Sequence, residues 1–384
     1  TVSNSKDEEM TGLTCHSQVP LDIYESHSDF INDNYILPNM RSNKYTEPDE
    51  QTENDDIRYV GYHIDAAKYA QLLKEESLKR NNLKLIDAHV TGISVKDENI
   101  TNLILSNEDI IDADLFVDCT GFRALLSNAV GAEWDKTYSE RLFVDTALAV
   151  QLPYRNKSAQ MRNTTYCHAL QNGWVWNVPL QTRIGTGYVY SSRHTSEDDA
   201  RMEFKKHLNK MYGYNKEELK FRKLDFGVGI RPESWKNNVV AVGLSSFFLE
   251  PIESTAISTM HYQISTLYDM ITNDYILPKD KIKRFNSVNK MAVDAIASYI
   301  ELHYIMSKRT DSQFWKDVSS AKLTQVQKDT IELYLDPNRS FNRTTVDAVT
   351  GGHNIFDQSS FLFLYLGYDL LPNNVYSMVD RETL

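Results

Sequence analysis

Apolar positions divide this chain into a polar opening, a β-rich middle and a helical end. Residues 1–57 are polar and irregular, which predicts a long irregular segment on the protein surface. Asp65 then precedes apolar positions at helical spacing as far as Arg80, so we predict a capped helix there. Short β-rich pieces between residues 90 and 118 follow, and they predict one small sheet.

Longer strand-length segments lie further along the chain. Residues 143–152, 174–179 and 185–191 are apolar and aromatic and predict a larger antiparallel sheet. An amphipathic helix is predicted over residues 198–212, and the unbroken apolar run 239–243 predicts a strand buried on both faces. Helical patterns then dominate, over residues 256–271, 282–304, 324–335 and 361–371.

Composition narrows the class of protein further. The 384 residues are 41% hydrophobic, enough for a sizeable core, and their number predicts two or three domains or one large α/β unit with additions. Forty-one Lys and Arg against 53 Asp and Glu give a net charge of −12, which argues against a nucleic-acid partner. Three scattered cysteines, no apolar run of about 18 residues and no signal-type start predict a cytoplasmic protein without a membrane segment. The ten histidines lack paired ligand spacing, so no metal site is predicted.

Three short segments carry candidate chemistry. A buried strand ends in Asp118-Cys-Thr-Gly121, where backbone could approach a flat or charged ligand, although the pattern alone slightly favours an ordinary strand that ends at a turn glycine. Trp174 and Trp176 share one face of a strand, as packed indoles commonly do.

The third segment, Glu253-Ser254-Thr255-Ala256, precedes a helix. Ser254 or Thr255 could cap that helix, and its free N–H groups at the positive dipole end suit a small anion. Glu253 among apolar neighbours could act as a base, or it could belong only to the capping group.

Together and in this order, these segments resemble the flavin-dependent halogenases of the tryptophan halogenase type, and the resemblance covers most of residues 58–320. It implies an α/β fold: a flavoprotein monooxygenase-like FAD-binding domain with mixed sheets, plus a mostly helical C-terminal part. We place the boundary between residues 1–257 and residues 258–384. Family members use reduced FAD, oxygen and a halide to make hypohalous acid, which travels through a tunnel to the substrate.

The resemblance also implies a role for each matching residue. Glu253 matches the glutamate that assists electrophilic substitution, and Ser254, Thr255 and Ala256 match the segment that holds the halide. Residues implied beside the flavin are Trp174, Trp176, Asp118, Thr120, Gly121, Gly243, Leu244, Ser245 and Ser246. Ala256 stands where the family usually has Gly, and its methyl group narrows the backbone's freedom beside the halide.

One family feature is missing from the chain. No Gly-x-Gly-x-x-Gly follows an opening strand, so the pyrophosphate cradle is absent, and no lysine matches the family's lysine. We therefore expect that the N-terminal dinucleotide-binding portion is missing or that the protein is a degenerate relative.

The resemblance implies a small aromatic, indole-like substrate and a separate flavin reductase as partners. It is also compatible with a homo-oligomer. The halide is chloride, bromide or iodide. Two alternatives remain: a flavin-dependent aromatic monooxygenase, and a non-catalytic binding module derived from a flavoprotein.

Overall fold

The computed structural model describes residues 63–370 except 163, 215–218, 273–277 and 353–354. Its helices are α1 (Ala66–Leu78), α2 (Leu125–Ala129), α3 (Lys157–Gln160), α4 (Glu197–Tyr212), α5 (Ala256–Thr272), α6 (Pro278–Ile305), α7 (Gln313–Ser319), α8 (Gln325–Leu335), α9 (Arg343–Thr350) and α10 (Gln358–Gly367). Its strands are β1 (Val90–Lys96), β2 (Asn99–Leu105), β3 (Ile110–Ile111), β4 (Phe116–Asp118), β5 (Thr146–Leu152), β6 (Tyr166–Leu170), β7 (Gly173–Pro179), β8 (Ile184–Tyr190), β9 (Arg222–Asp225), β10 (Gly229–Ile230), β11 (Trp235–Lys236), β12 (Val239–Ala241) and β13 (Phe247–Phe248). The fold is α/β with mixed sheets, as the sequence predicts.

The chain forms two compact units that alternate along the sequence. Within the described ranges, unit 1 contains His63 and residues 143–225 and 298–370, and unit 2 contains residues 64–142 and 226–297. The boundary predicted after residue 257 does not coincide with any change of unit, because both units draw on segments far apart in the chain. A division by function at residue 257 stays a prediction.

Unit 1 is built on an antiparallel sheet with strand order β6-β7-β8-β5-β9, which confirms the larger sheet predicted from the sequence. Helix α4 covers one face of this sheet because Ala200, Phe204 and Leu208 recur every four residues and are fully buried. The helix begins where Ser196 accepts a hydrogen bond from the N–H of Asp199. It ends at Gly213, whose φ of 72° is left-handed.

A pair of histidines lies between β6 and α4. The rings of His168 and His207 have centroids 5.0 Å apart. Burial lowers the pKa of His168 to about 4 and, together with the neighbouring His168 and Lys210, lowers the pKa of His207 to about 3. Both rings are therefore neutral in the folded protein at pH 7.

We expect the free energy of unfolding to fall by more than about 2 kcal/mol as the pH drops from 6.5 towards 4. Below pH 6.5 the unfolded chain binds protons at both histidines, whose folded pKa values are depressed, so acid favours unfolding. Urea unfolding followed at several pH values measures this slope. His168→Gln combined with His207→Gln should flatten it, and an unchanged slope would show that other groups cause the acid sensitivity.

Unit 2 contains the parallel pair β4 and β12, with β11 beside β12. The sequence predicted β4 to join the small sheet with β1 and β2, and this was wrong: β1, β2 and β3 form their own sheet. The reason is that the wholly buried β12 needs a partner on its free edge, and β4 supplies it. The predicted helix after Asp65 is confirmed as α1, with Asp65 accepting hydrogen bonds from two backbone N–H groups.

The predicted helical end is confirmed in α5, α6, α8 and α10, each close to its predicted bounds. Within the described ranges, no helix combines the length and the apolar character that crossing a membrane requires. In the same ranges no group of three or more His, Cys, Asp or Glu could hold a metal ion.

Candidate active site

The carboxyl ends of the parallel strands β4 and β12 lie together in unit 2, each followed by a glycine turn. Residues Gly121–Arg123 form the turn after β4, and Gly243–Ser245 form the turn after β12. The Ser245 hydroxyl joins the two turns by donating to the carbonyl of Gly121 over 3.0 Å. Ligands of open α/β sheets bind at this end of parallel strands.

Asp118, at the end of β4, holds this region in shape. Its fully buried carboxylate accepts hydrogen bonds from the backbone and hydroxyl of Thr120 and of Ser127, and from the Ser245 hydroxyl. Burial disfavours the charge, but the bonds from Ser127 and Thr120 outweigh it and keep the pKa of Asp118 below its usual range. Its carboxylate is thus directed at the protein's own turns.

Arg231 is a buried cation that the sequence analysis did not single out. Its guanidinium donates to the carbonyl of Ser245 over 3.0 Å, to the amide oxygen of Asn128 over 2.7 Å, and to the carbonyl of Ala132. It also lies over the Trp134 ring, 5.6 Å from its centroid. The sequence offers one indication of a buried arginine, because Arg231 stands between the apolar Ile230 and a proline. Nothing nearby in the sequence indicates which groups its guanidinium contacts.

The second turn is fixed to helix α5 by buried amides. The backbone N–H of Gly243 donates to the side-chain oxygen of Gln263 over 2.8 Å. Gln263 donates in turn to the Ser246 hydroxyl over 2.9 Å and to Asn289 over 2.8 Å. Ser245 and Ser246 are fully buried, so of the predicted flavin-side serines neither presents its side chain to solvent.

The surface of the two turns is open and apolar. Gly121 has a left-handed φ of 70°, and apart from its chain neighbours no atom of the residues that the structure describes lies within 4 Å of the place where a Cβ would stand. Phe122 is 47% exposed and Leu244 is 37% exposed, although both side chains are large and apolar. Exposed apolar groups beside an open backbone provide a surface on which a flat ring can lie.

The segment before α5 has a strained backbone. Glu253 and Ser254 have φ values of 65° and 53°, in the left-handed region that side chains other than glycine rarely adopt. Each such residue costs about 1–2 kcal/mol, and strain of this kind concentrates at functional sites. Glu253 is half-buried, Ser254 and Ala256 are exposed, and Thr255 is buried.

The sequence interpretation of a helix cap at this place was wrong. A capping residue has extended backbone, whereas Ser254 is left-handed and Thr255 has helical angles of −72° and −15°. The main chain turns instead through a bond from the N–H of Ser254 to the carbonyl of Pro251, 3.0 Å long. Helix α5 begins directly afterwards at Ala256.

The two predicted tryptophans belong to strand β7 of unit 1. Their ring centroids are 6.4 Å apart and the rings are inclined by 63°. Trp174 is 1% exposed, and its buried indole N–H meets no hydrogen-bond acceptor among the residues that the structure describes. Trp176 is half-buried. Glu253 and the glycine turns belong to unit 2.

The strand pair with its two glycine turns and the strained segment at Glu253 characterise an α/β protein with a candidate ligand site at its strand ends. A sequence model of the tryptophan halogenase family matches residues 13–383, so the chain belongs to that family. It is 32% identical over 281 residues to tryptophan 7-halogenase RebH of Lentzea aerocolonigenes and 33% identical over 273 residues to tryptophan 6-halogenase SttH of Streptomyces toxytricini.

These matches cover 72% and 71% of this chain but 52% and 51% of the two relatives, so the chain spans about half their length. Among solved structures, the flavin-dependent halogenase BrvH of Brevundimonas sp. BAL3 is similar with a TM-score of 0.77 and 26% identity, over 97% of this chain and 75% of that one. The VirX1 apo structure is similar with a TM-score of 0.70 and 34% identity, over 89% of this chain and 66% of that one.

Proposed function

We propose that this protein is a flavin-dependent halogenase that uses reduced FAD, oxygen and a halide to halogenate an electron-rich, indole-like small molecule. The observation that carries the proposal is the left-handed backbone of Glu253 and Ser254 at the start of α5, in a chain of the tryptophan halogenase family. A protein bears such strain where the direction of the side chains matters.

The residues present fit a flavin ring. The open backbone at Gly121 and the exposed Phe122 and Leu244 would hold it, with Gly243 in the adjoining turn. Asp118, Thr120 and Ser245 would keep the turns in place through their mutual hydrogen bonds, and Ser246 would do so through the hydrogen bond that it accepts from Gln263. When bound, reduced flavin supplies the oxidising chemistry with oxygen that turns a halide into an electrophilic halogen.

Glu253 would act on the aromatic substrate. As an electrophilic halogen bonds to a ring carbon, the ring gains positive charge that a nearby carboxylate stabilises. The same carboxylate then accepts the proton from that carbon, which breaks the C–H bond and restores the aromatic ring. The half-buried position of Glu253 strengthens this interaction, since water screens it less.

Ser254, Thr255 and Ala256 would hold the halide. Ser254 and Ala256 are exposed, and the first N–H groups of α5 lie at the positive end of a 17-residue helix. The Trp174 and Trp176 pair would lie beside the flavin and keep substrate from direct oxygenation. A separate reductase would supply the reduced FAD, and the cytoplasm is the compartment that suits this supply.

We expect the product mass to change with the halide supplied. The protein is incubated with FAD, a flavin reductase, NADH, oxygen and an indole panel, with chloride, bromide or iodide in turn, and products are identified by mass spectrometry. The proposal requires a halogenated product in at least one arm, whose mass follows the halide.

Two results would contradict the halogenase proposal. An oxygenated product that forms equally without halide would favour the aromatic monooxygenase. If the protein neither forms a product nor binds FAD in equilibrium dialysis, the non-catalytic binding module would be favoured.

A further inference from the structure

Strands β6 and β7 form an antiparallel hairpin, residues 166–179, which carries both predicted tryptophans and which we call the tryptophan hairpin. The last paired residues, at its open end, are Tyr166 and Asn177. Strand β7 continues beyond this pair as far as Pro179, where β6 no longer runs beside it. Backbone groups at the open end therefore need partners from elsewhere in the chain.

The carbonyl of Pro179 points away from β8, towards the side that β6 leaves open. The N–H of Leu180 donates to the carbonyl of Arg183 over 2.8 Å, so this pair is hydrogen-bonded. Hydrogen-bonded and non-hydrogen-bonded pairs alternate in an antiparallel ladder, and the next pair, Pro179 and Ile184, is of the second kind. Because proline has no N–H group, the hydrogen bond available at this position is one to its carbonyl oxygen.

His63 makes that hydrogen bond. Its Nδ1 lies 2.9 Å from the carbonyl oxygen of Pro179, and its Nε2 lies 3.0 Å from the hydroxyl of Thr165, the residue before β6. A carbonyl only accepts, so Nδ1 carries the proton and Nε2 accepts from the hydroxyl. Burial lowers the pKa of His63 by more than the bond to Pro179 raises it, which favours the neutral ring. One imidazole thus bridges the two strands at the open end.

The turn of the tryptophan hairpin is fixed as well. The buried indole of Trp315 donates to the carbonyl of Leu170 over 2.7 Å. The N–H of Gln171 donates to the carboxylate of Glu203 in α4 over 2.8 Å. Since these bonds hold the turn, the bridge at His63 decides how firmly the opposite end is held.

We propose that His63 is a positioning residue that keeps Trp174 and Trp176 in place by fixing the open end of the tryptophan hairpin. Trp176 lies on the same strand as Pro179 and close to it, so a shift of the open end displaces its indole. The inference rests on the proposed function, in which the two indoles lie beside the flavin and keep substrate from direct oxygenation. His63 touches no reacting group and acts through Pro179 and Thr165.

Hydrogen exchange of the full chain, followed by mass spectrometry, tests the bridge without any catalysis. His63→Phe keeps a ring but removes both hydrogen bonds. We expect exchange in peptides that cover residues 166–179 to become about tenfold faster, with exchange in α4 unchanged. His89→Phe makes the same replacement at an exposed histidine of unit 2 and should leave the hairpin unchanged. Circular dichroism and thermal melting confirm that both variants are folded.

Thr165→Val is a milder variant, because it removes only the bond to Nε2 of His63 and keeps the volume of the side chain. Exchange in the hairpin should become about threefold faster. Thr164→Val removes the neighbouring buried hydroxyl, which is not a partner of His63, and should change exchange less than Thr165→Val does. In the double variant of His63→Phe and Thr165→Val the effects should not add, since both remove the same bond.

The ratio of products separates positioning from a loss of stability. A less stable enzyme makes less of every product at an unchanged ratio, whereas displaced indoles admit direct oxygenation. We expect His63→Phe to raise the ratio of oxygenated to halogenated product at least about threefold. His63→Asn keeps a donor on the side of Pro179 and should restore part of the difference.

The two measurements distinguish failure of this inference from failure of the proposed function. Unchanged exchange over residues 166–179 in His63→Phe would overturn the role of His63, as would an unchanged product ratio when the wild type halogenates. A wild type that forms no halogenated product contradicts the proposed function instead. The exchange experiment then still decides whether His63 fixes the tryptophan hairpin.

Discussion

Replacing Glu253 by Gln is expected to lower the kcat of halogenation about a thousandfold, with KM for the aromatic substrate changed less than about threefold. The amide keeps the size and the hydrogen-bonding capacity of the side chain, but it neither carries negative charge nor accepts the ring proton. The loss therefore falls on the transition state and leaves substrate binding largely intact. Initial rates of halogenated product, measured by mass spectrometry, give both constants.

Two further variants serve as controls for this experiment. Glu253→Asp keeps the charge on a shorter side chain and should retain more activity than Glu253→Gln. Glu233→Gln removes an exposed carboxylate that pairs with Lys236 in the same unit, and it should leave kcat unchanged. If Glu253→Gln keeps a tenth or more of the wild-type kcat, Glu253 does not have the proposed role.

Replacing Arg231 by Met is expected to lower the free energy of unfolding by about 3–5 kcal/mol. Arg231 is 5% exposed and its guanidinium donates to Ser245, Asn128 and Ala132, so its removal leaves buried acceptors unsatisfied. It also removes a cation whose pKa is lowered by burial, an effect that the charge of Asp118 partly offsets. Urea unfolding at constant pH measures the difference.

Arg231→Lys tests whether the shape of the guanidinium matters in addition to its charge. Lysine cannot donate in three directions from a planar group, so this variant should lie between wild type and Arg231→Met. The exposed Arg123 provides a matched control, and Arg123→Met should change stability by less than about 0.5 kcal/mol. If Arg231→Met lies within about 1 kcal/mol of wild type, the network does not stabilise the turns.

The elements that the sequence predicted correctly are those whose pattern is local. Helix α4 follows from apolar residues every three or four positions, and strand β7 follows from a compact aromatic segment. The partner of β4 was not predictable in this way. Val117 of β4 pairs with Val240, more than a hundred residues away, and no local period records such a choice.

The same distinction between local pattern and distant contacts applies to the candidate site. Glu253 and Asp118 could be identified from the sequence because their neighbours form recognisable segments. Their conformations and contacts could not be predicted in this way. The left-handed backbone of Glu253 is hidden from sequence reasoning, since that reasoning expects glycine wherever φ is positive. Arg231 and Gln263 act through partners on distant segments, so only the folded chain brings them to the site.

The strained turn at residues 253 and 254 has a consequence for anyone who engineers this protein. Glycine would adopt both left-handed conformations without penalty, so a selection for heat resistance alone would enrich Gly at these positions. The selected variants would have a higher melting temperature but would lack the carboxylate of Glu253 and the hydroxyl of Ser254. Libraries designed to raise the stability of this protein should therefore leave residues 253 and 254 unchanged and vary the exposed helix surfaces instead.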